Sequence, residues 1–452
     1  MLDKDSKIVV IALTLIILIL TVLFIMDRSG SRQDEQQDSY SELYGQTNSV
    51  DSYSAVPYDG ATVMTTTLDL QWRAGKLATS HTVYLHQNKD WVATGDPNAL
   101  LTETQDTTVK AVDLSPDSTY YWRVDAVNPK DPNSPWAGQI WHFRIPPNQA
   151  FDLFPPDGAT GVSPHVRLSW KRPVDAQGYR MAWGTDTDSL ANTAGEELTL
   201  STTSFEPNAL NPGTTYTWRV DTVTQDSVIA GKIQSFTVLD DTRIAPNDDP
   251  NLIGWWQADE PNTSLALLDH SGHGLHAFLQ GSASRIEGVS DGAVELDKKS
   301  SFRTLKTSNV TLTNATLSAW IRPKEPSTGV QGIIFCRGSS ATGLNLTDKN
   351  ELGYHWNDDQ QTWTYQSGLT IPTGQWSFVA LVIEPNEARL YLNDLESPAI
   401  NAISHQPASF DGLMNLGADP GEATRTFFGA LDDIRFYDRA LTQEELEEIR
   451  NE

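Results

Sequence analysis

The stretch LLDHSGHGLHAFL, residues 267–279, places three of the chain's nine histidines within seven positions. A zinc or nickel site requires imidazole rings that converge from a defined scaffold, such as one face of a helix. The glycines between His270, His273 and His276 argue against a helix, and a spacing of three along a strand sends successive rings to opposite faces. We therefore predict turn histidines rather than a transition-metal site, and expect Asp269 to be the important residue.

A second aspartate, near the end of the chain, is predicted to point into the interior. In the strand ALDDIRFY, residues 430–437, Asp432 falls on the same face as Ile434 and Phe436. A buried carboxylate without a partner is very costly, so this position needs a cation. Calcium suits carboxylates and carbonyl oxygens at irregular turns, and Asp269 lies on a loop whose glycines allow carbonyls to converge. The alternatives are an arginine partner and a pair of surface-exposed aspartates.

Aromatic residues alternate with amides and acids in YHWNDDQQTWTYQSG, residues 354–368. Such a pattern suits stacking on sugar rings together with hydrogen bonds to hydroxyl groups. The candidates for this ligand surface are Tyr354, Trp356, Trp363 and Tyr365. The alternative, which we favour, is a hairpin whose aromatic side chains pair across strands.

The elements that position these residues are mainly strands. The stretch QWSFVALVIE, residues 375–384, is apolar on both strand faces, which predicts a central strand covered from both sides. One convincing helix closes the chain, where Thr442 and Glu445 have the spacing of a capping box. The C-terminal region is therefore predicted to be a β domain with a terminal helix.

The order of signals across residues 250–452 resembles the laminin-G-like, concanavalin A-like jelly roll. The segments that carry the resemblance are GWWQADE, LDHSGHGLHA, DGAVELDKKS, LSAWIRP, GQWSFVALVIE, ARLYLND and GALDDIRFYDRALTQEELEEI. The resemblance implies two packed antiparallel sheets, a structural calcium ion, and roles in carbohydrate binding or adhesion. In that family the Asp-x-Ser-Gly-x-Gly segment and the aspartate of the last strand lie close together. The resemblance therefore implies Asp269 and Asp432 as calcium ligands.

Some relatives with this fold are glucanases, which use Glu-x-Asp-x-x-Glu on one strand. The nearest match here contains Glu295 and Asp297 but ends in Ser300, so one of the two required carboxylates is missing. The sequence also has no phosphate-binding loop. We predict a domain without catalytic residues; the alternative is a glycan-processing enzyme on the same fold.

An internal repeat precedes this domain. The segments LSPDSTYYWRVDAV, residues 114–127, and LNPGTTYTWRVDTV, residues 210–223, match closely, and each is preceded by a copy of Asp-Gly-Ala-Thr. Short alternating strands with Pro and Gly turns predict β-sandwiches. The Leu-x-Pro-x-x-x-Tyr-x-Trp-Arg-Val pattern resembles the tyrosine corner of fibronectin type III modules, which are immunoglobulin-like. The resemblance implies two spacer or interaction modules, at 56–148 and 149–241.

The N-terminus carries an uncharged apolar run at residues 8–26. At about 1.5 Å per helical residue, this run nearly spans a hydrocarbon core of about 30 Å. No small-residue cleavage motif follows, so we predict a transmembrane signal anchor with residues 1–7 in the cytoplasm; a cleaved signal peptide is the alternative. Residues 27–55 are polar and are predicted to form a disordered linker.

Composition narrows the function further. The net charge of −27 argues against a nucleic-acid partner. The single cysteine, Cys336, excludes intramolecular disulfides and is predicted to be buried in a strand. We therefore expect an all-β, single-pass membrane protein whose bulk is extracytoplasmic, in the periplasm or at the cell surface. Its expected function is non-catalytic adhesion or recognition of a glycan or cell-surface protein; a purely structural envelope component is a further alternative.

Overall fold

A computed structural model of the protein describes residues 52–185, 198–240, 247 and 249–452, with the backbone alone described at 198–200. The described residues are almost entirely strands, which confirms the all-β prediction. The chain divides into two units, residues 1–148 and 149–452. The predicted anchor at 8–26 lies outside the described residues, and none of the helices within them is long and apolar enough to cross a membrane.

The first unit is a sandwich of a three-stranded and a five-stranded sheet. Its strands are β1 (Tyr53–Val56), β2 (Ala61–Thr62), β3 (Leu68–Arg73), β4 (Ser80–His86), β5 (Leu100–Thr104), β6 (Thr108–Ala111), β7 (Ser118–Val127) and β8 (Ile140–Ile145), with helix α1 (Lys89–Thr94) and a 3-10 turn at Pro97–Ala99. The sheet orders are β1-β3-β6 and β2-β8-β7-β4-β5. Strand β1 lies partly within the predicted linker, because Tyr53 already pairs with Arg73.

The second unit begins with a similar sandwich. Its strands are β9 (Phe151–Phe154), β10 (Ala159–Val162), β11 (Leu168–Lys171), β12 (Gly178–Gly184), β13 (Leu198–Leu200), β14 (Ser204–Phe205), β15 (Thr215–Val223), β16 (Val228–Ile229) and β17 (Gln234–Val238). They form the sheets β14-β11-β9 and β10-β17-β15-β12-β13, with β16 beside β15. Buried Trp170 and Trp218 contribute to its core, as Trp72 and Trp122 do in the first sandwich.

Both sandwiches contain the same tyrosine hydrogen bond. The hydroxyl of Tyr120 accepts a bond from the backbone N–H of Ser115 at 2.8 Å. The hydroxyl of Tyr216 accepts the equivalent bond from Asn211 at 3.2 Å. The sequence repeat is therefore also a structural repeat.

The rest of the second unit is a jelly roll. Its strands are β18 (Leu252–Trp256), β19 (Ala266–Leu267), β20 (Ala277–Gln280), β21 (Ala283–Glu287), β22 (Gly292–Leu296), β23 (Ser301–Thr307), β24 (Val310–Leu312), β25 (Ala315–Pro323), β26 (Gln331–Arg337), β27 (Ala341–Leu346), β28 (Leu352–His355), β29 (Ser377–Glu384), β30 (Glu387–Leu392), β31 (Asp394–Asn401), β32 (Ala408–Phe410), β33 (Leu413–Leu416) and β34 (Gly429–Tyr437), with helices α2 (Gln360–Trp363) and α3 (Gln443–Asn451). The two main sheets are β21-β22-β34-β25-β29-β30-β31, joined by β18, and β19-β20-β23-β33-β26-β27-β28.

Strand β29 is central, as predicted, and lies between β25 and β30. One face packs in the main core, whereas Phe378, Ala380 and Val382 on the other face pack with Leu446 and Ile449 of α3. Helix α3 begins with the predicted capping box. Its apolar side therefore explains why β29 is apolar on both faces.

The second main sheet is organised by two neighbouring cross-strand rows. The inner row lies in the core and consists of Phe302, Leu416, Ile334, Leu344 and Tyr354. The adjacent outer row consists of Arg303, Asn415, Phe335, Gly343 and His355. Directly paired residues share a face of the sheet, so the outer row faces away from the core. Cys336 returns to the inner face and is fully buried, as predicted.

Candidate functional site

Asp432 is the most unusual carboxylate of the jelly roll. It lies on β34 and is only 1% exposed. Its Oδ2 accepts hydrogen bonds from the backbone N–H groups of Val289 at 2.7 Å and Ser290 at 3.3 Å. Its Oδ1 is buried and has no hydrogen-bond partner. The predicted burial of Asp432 is confirmed, but the predicted face is wrong: an irregularity in β34 between Asp432 and Arg435 pairs Asp432 with Trp320, away from the face of Ile434 and Phe436. Half of the carboxylate is left unsatisfied.

The surroundings of Asp432 disfavour its negative charge. Burial, together with the nearby carboxylates of Asp433 and Asp259, raises the pKa of Asp432 to about 7, although the hydrogen bonds from the Val289 and Ser290 N–H groups lower it. The pKa of Asp259 is also raised, first by burial and then by Asp291 and Asp433. Such shifts are removed when a cation occupies the space between carboxylates.

A small cavity lies beside Asp432. It has a volume of about 140 Å³ and is lined by Trp255, Gln257, Asp259, Ser290, Asp432, Asp433, Arg435 and Glu452. Ligand sites for drug-sized molecules usually measure about 300–1,000 Å³, whereas one water occupies about 30 Å³. The cavity is therefore suited to an ion with its waters rather than to a sugar chain.

The cavity offers carboxylate oxygens to a cation. Asp432 offers the unpartnered Oδ1, and Asp259 accepts a hydrogen bond from the Gly292 N–H through its Oδ1 at 2.7 Å. Asp433 is already engaged by the Trp255 indole at 2.7 Å and the Arg435 guanidinium at 3.0 Å. Among the described residues, no group of three His, Cys, Asp or Glu side chains lies close enough to hold a metal. The lining has carboxylates but neither His nor Cys, and carboxylate oxygens suit hard ions such as calcium better than transition metals.

Asp269 has a different environment from the one predicted. Its Oδ1 accepts hydrogen bonds from the backbone N–H groups of Trp255 at 3.0 Å and Ser271 at 2.9 Å, and its Oδ2 accepts one from Leu275 at 2.8 Å. The three bonds hold the 269–275 loop against β18. Asp259 and Asp432 both line the cavity, whereas Asp269 does not, so Asp269 as a calcium ligand stays a prediction.

The three histidines of this loop do not converge. The Nδ1 of His276 accepts a hydrogen bond from the backbone N–H of Asp269 at 3.0 Å. His270 packs edge-on against Trp255, with ring centroids 6.0 Å apart, and His273 contacts the Ser271 hydroxyl at 3.3 Å. These separate contacts agree with the prediction of turn histidines.

The predicted aromatic ligand surface is wrong for two of its four residues. Tyr354 and Trp356 are each 1% exposed and belong to the main core. The Tyr354 hydroxyl is bonded to Asn401 at 2.8 Å and His405 at 2.9 Å. Their positions share the strand face of buried Leu352, so alternation from that residue would have revealed their burial.

Trp363 is the exposed member of the set. It ends α2, its side chain is 47% exposed, and its ring is stacked on His355 with centroids 6.5 Å apart. The Nδ1 of His355 is bonded to the Asn345 amide oxygen at 3.0 Å. Burial lowers the pKa of His355 to about 4, so its ring is neutral at physiological pH. Tyr365 is half-buried, packs edge-on against Tyr354 at 6.3 Å, and offers little free ring surface.

A charged cluster borders this aromatic pair. Asp419 is fully buried and is bonded to Arg337 and Arg425, each at 2.9 Å. Burial opposes ionisation of Asp419, but the arginine bonds and the Gly421 N–H outweigh it and hold its pKa below the ordinary value. We call Trp363, His355, Asn345, Arg337 and Asp419 the Trp363 surface.

The two carboxylates that resemble a glucanase motif are engaged elsewhere. Glu295 forms an ion pair with Lys324 at 2.8 Å. Asp297 accepts hydrogen bonds from the Ser300 hydroxyl at 2.6 Å and the Ser282 hydroxyl at 2.7 Å. These bonds lower the pKa of Asp297, as expected for a turn residue that stays ionised. Neither carboxylate lines the cavity beside Asp432.

Comparison with known proteins supports the fold of this region. Residues 297–447 match the Laminin G 3 family model, described as the concanavalin A-like lectin/glucanases superfamily. Residues 297–447 thus form a concanavalin A-like domain. No curated protein matches the sequence.

Several solved structures are similar at low identity. Domain 4 of AbnA, a GH43 extracellular arabinanase from Geobacillus stearothermophilus solved with arabinotriose, is 18% identical over 44% of this chain and 98% of its own, with a TM-score of 0.37. The ligand binding domain of botulinum neurotoxin serotype D, solved with N-acetylneuraminic acid, is 15% identical over 44% of this chain and 50% of its own, with a TM-score of 0.33. The chain thus covers about half of the toxin domain.

Proposed function

We propose that this protein is a non-catalytic recognition protein of the cell envelope, held at a membrane by residues 8–26 and carrying a glycan-binding jelly roll on two fibronectin type III-like sandwiches. The repeated tyrosine hydrogen bonds support the identity of the sandwiches. The engagement of Glu295 and Asp297 in other bonds supports the absence of catalysis.

The exposed ring of Trp363 is the observation that carries the glycan proposal. It is the one aromatic among the strongly exposed large apolar side chains of residues 249–452. A sugar ring stacks on such a face. The Asn345 amide and the Asp419 carboxylate are buried and already bonded, so the proposal depends on stacking. The His355 ring, held by its bond to Asn345, supports the inner face of the Trp363 ring.

Binding of the full chain, purified in detergent, to a glycan panel tests this proposal. The panel contains arabinotriose, N-acetylneuraminic acid, arabinan, β-glucan and starch. We expect binding without release of reducing sugar, and about tenfold weaker binding for Trp363→Ala, which corresponds to about 1.4 kcal/mol. Trp376→Ala is the matched control, because Trp376 precedes β29 in the other main sheet and packs on Arg322.

Three results of that experiment would count against the proposal. If the protein binds none of these glycans, the proposal that its ligand is a glycan is wrong. Equal losses for the two tryptophan variants would remove the Trp363 surface as the site. Release of reducing sugar would favour the glycan-processing alternative.

We also propose that calcium stabilises the jelly roll at Asp432 and Asp259. Thermal melting of the full chain with calcium and with chelator measures this. We expect calcium to raise the melting temperature of the jelly roll and Asp432→Asn to abolish that shift. Asp269→Ala is expected to destabilise the jelly roll by about 2–5 kcal/mol with or without calcium, because three buried backbone N–H groups lose their acceptor. The calcium-dependent rise in melting temperature is expected to remain in this variant. Absence of any calcium shift in the unmodified chain would rule the ion out.

A further inference from the structure

One edge of the second sandwich pairs with a segment of the jelly roll. Thr160 of β10 donates its N–H to the Thr263 carbonyl at 2.9 Å and accepts a bond from the Leu265 N–H at 3.0 Å. The hydroxyls of Thr160 and Thr263 are also 3.1 Å apart. The result is a short parallel bridge between two sandwiches that the sequence presents as consecutive modules.

A glycine in the second repeat makes this approach possible. Gly161 has a φ of +57°, and a Cβ atom there would lie 2.8 Å from the Ser264 hydroxyl oxygen and 3.3 Å from the Ala266 Cβ. The first repeat has Val63 at the equivalent position, since Gly-Ala-Thr-Val replaces Gly-Ala-Thr-Gly. A β-branched side chain is disfavoured both by the left-handed backbone and by the close contact. The two copies therefore differ where the jelly roll docks.

On the jelly-roll side, an ion pair and its hydrogen bonds hold the contacting segment in one conformation. Arg285 and Glu260 form a buried ion pair at 2.9 Å. Arg285 also donates to the carbonyl of Ala266 at 2.8 Å, and Glu260 accepts the N–H of Leu268 at 2.6 Å. These bonds fix the chain on either side of residues 263–266, which we call the docking segment, and so reduce the entropy lost on association.

Apolar contact completes the docking. The side chain of Leu265 packs against the core of the second sandwich, which includes Val162 and Phe236. The backbone hydrogen bonds fix the relative orientation of β10 and the jelly-roll segment. Burial of the Leu265 side chain contributes hydrophobic free energy. The paired edge of β10 is also removed as a site for unwanted strand pairing.

We propose that the second sandwich is a fixed part of the recognition head, docked on the jelly roll through Thr160, Gly161 and Leu265. This inference deepens the proposed function, because the second sandwich then orients the ligand-binding domain instead of serving as an independent spacer. It depends on neither the glycan nor calcium.

Cleavage between the two domains tests the docking. A specific protease site is introduced beside Arg243 in the full chain, and the cleaved protein is analysed by size exclusion at micromolar concentration in chelator without glycan. We expect the two halves to co-elute and Gly161→Val to weaken their association about tenfold or more. Gly158→Ala is the control, because Gly158 has a φ of +75° but nothing lies within 4 Å of its added Cβ.

A second variant keeps the test valid if Gly161→Val fails to fold. Leu265→Asp alters the jelly-roll side of the contact and is also expected to separate the halves. Separation of the unmodified halves, each still melting cooperatively, would overturn the inference, as would association that neither variant weakens. Glycan or calcium binding does not enter this measurement, so its failure is distinguishable from failure of the proposed function.

Discussion

At the scale of single residues, the two sandwiches differ at one matched core position. His81 packs edge-on against Trp72, with centroids 5.3 Å apart and planes at 75°. In the second copy, Tyr179 packs against Trp170 at 5.2 Å and 76°. Both ring nitrogens of His81 are buried without a partner, and burial lowers its pKa. The first sandwich thus carries an uncompensated polar ring in a site that accepts tyrosine.

This difference predicts acid sensitivity in the first sandwich. Because the folded pKa of His81 lies below its unfolded value of 6.5, stability is lost as the pH falls below about 6.5. His81→Tyr should stabilise the sandwich by about 1–3 kcal/mol at pH 5 and by less at pH 7.5. Thermal melting at both pH values measures this, with Tyr179→His as the reciprocal variant. An equal effect at the two pH values would contradict the titration of His81.

For Asp432 we expect the opposite dependence of stability on pH. Its folded pKa of about 7 exceeds its unfolded value of 3.8, so in chelator the jelly roll loses stability as the pH rises from about 4 to about 7. The full loss is about 4 kcal/mol at most. Denaturant unfolding in chelator at pH 5 and pH 8 should show this loss, and Asp432→Asn should remove it. A loss that persists in Asp432→Asn would assign it to other groups.

At the scale of elements, helix α3 is expected to be essential to the jelly roll. Leu446 is fully buried in the cluster that covers the outer face of β29. Leu446→Ala should therefore destabilise the domain by about 2–5 kcal/mol, measured by denaturant unfolding. The control is Glu448→Ala, on the exposed side of the same helix, for which we expect a change within about 0.5 kcal/mol. Equal effects would mean that the helix is not packed as described.

The success of sequence reasoning also differs from element to element. Local patterns predicted β29 and the cap of α3, because alternation and capping depend on neighbours in the chain. They failed for the face of Asp432, because an irregularity in β34 between Asp432 and Arg435 interrupts the alternation. The partner of Asp432 could not be obtained in this way. Asp259 reaches the cavity because β18 pairs with β34, a contact between the two ends of the domain. The burial of Tyr354 was missed because the prediction considered its aromatic ring and not the strand face that it shares with Leu352.

At the scale of the whole molecule, the repeat shows which features the two sandwiches share. Arg123 pairs with Asp125 at 2.8 Å, and Arg219 pairs with Asp221 at 2.8 Å. Each aspartate also accepts a backbone N–H from a glycine on the neighbouring segment, at 3.0 and 2.9 Å. These features were readable as a repeated motif, whereas the docking role of Gly161 depends on a partner outside the repeat.

Docking predicts how calcium affects the molecule beyond its own cavity. Gln257 and Asp259 line the cavity, and the docking segment at 263–266 follows within a few residues. If calcium stabilises the jelly roll, the docked second sandwich gains protection because opening it exposes the shared contact. Hydrogen exchange of the full chain should then show calcium-dependent protection in β15, and Gly161→Val should remove it there but not in the jelly roll. Strand β7, its sequence-matched counterpart in the first sandwich, is the reference. Protection confined to the jelly roll of the unmodified chain would mean that calcium acts locally and that docking does not transmit its effect.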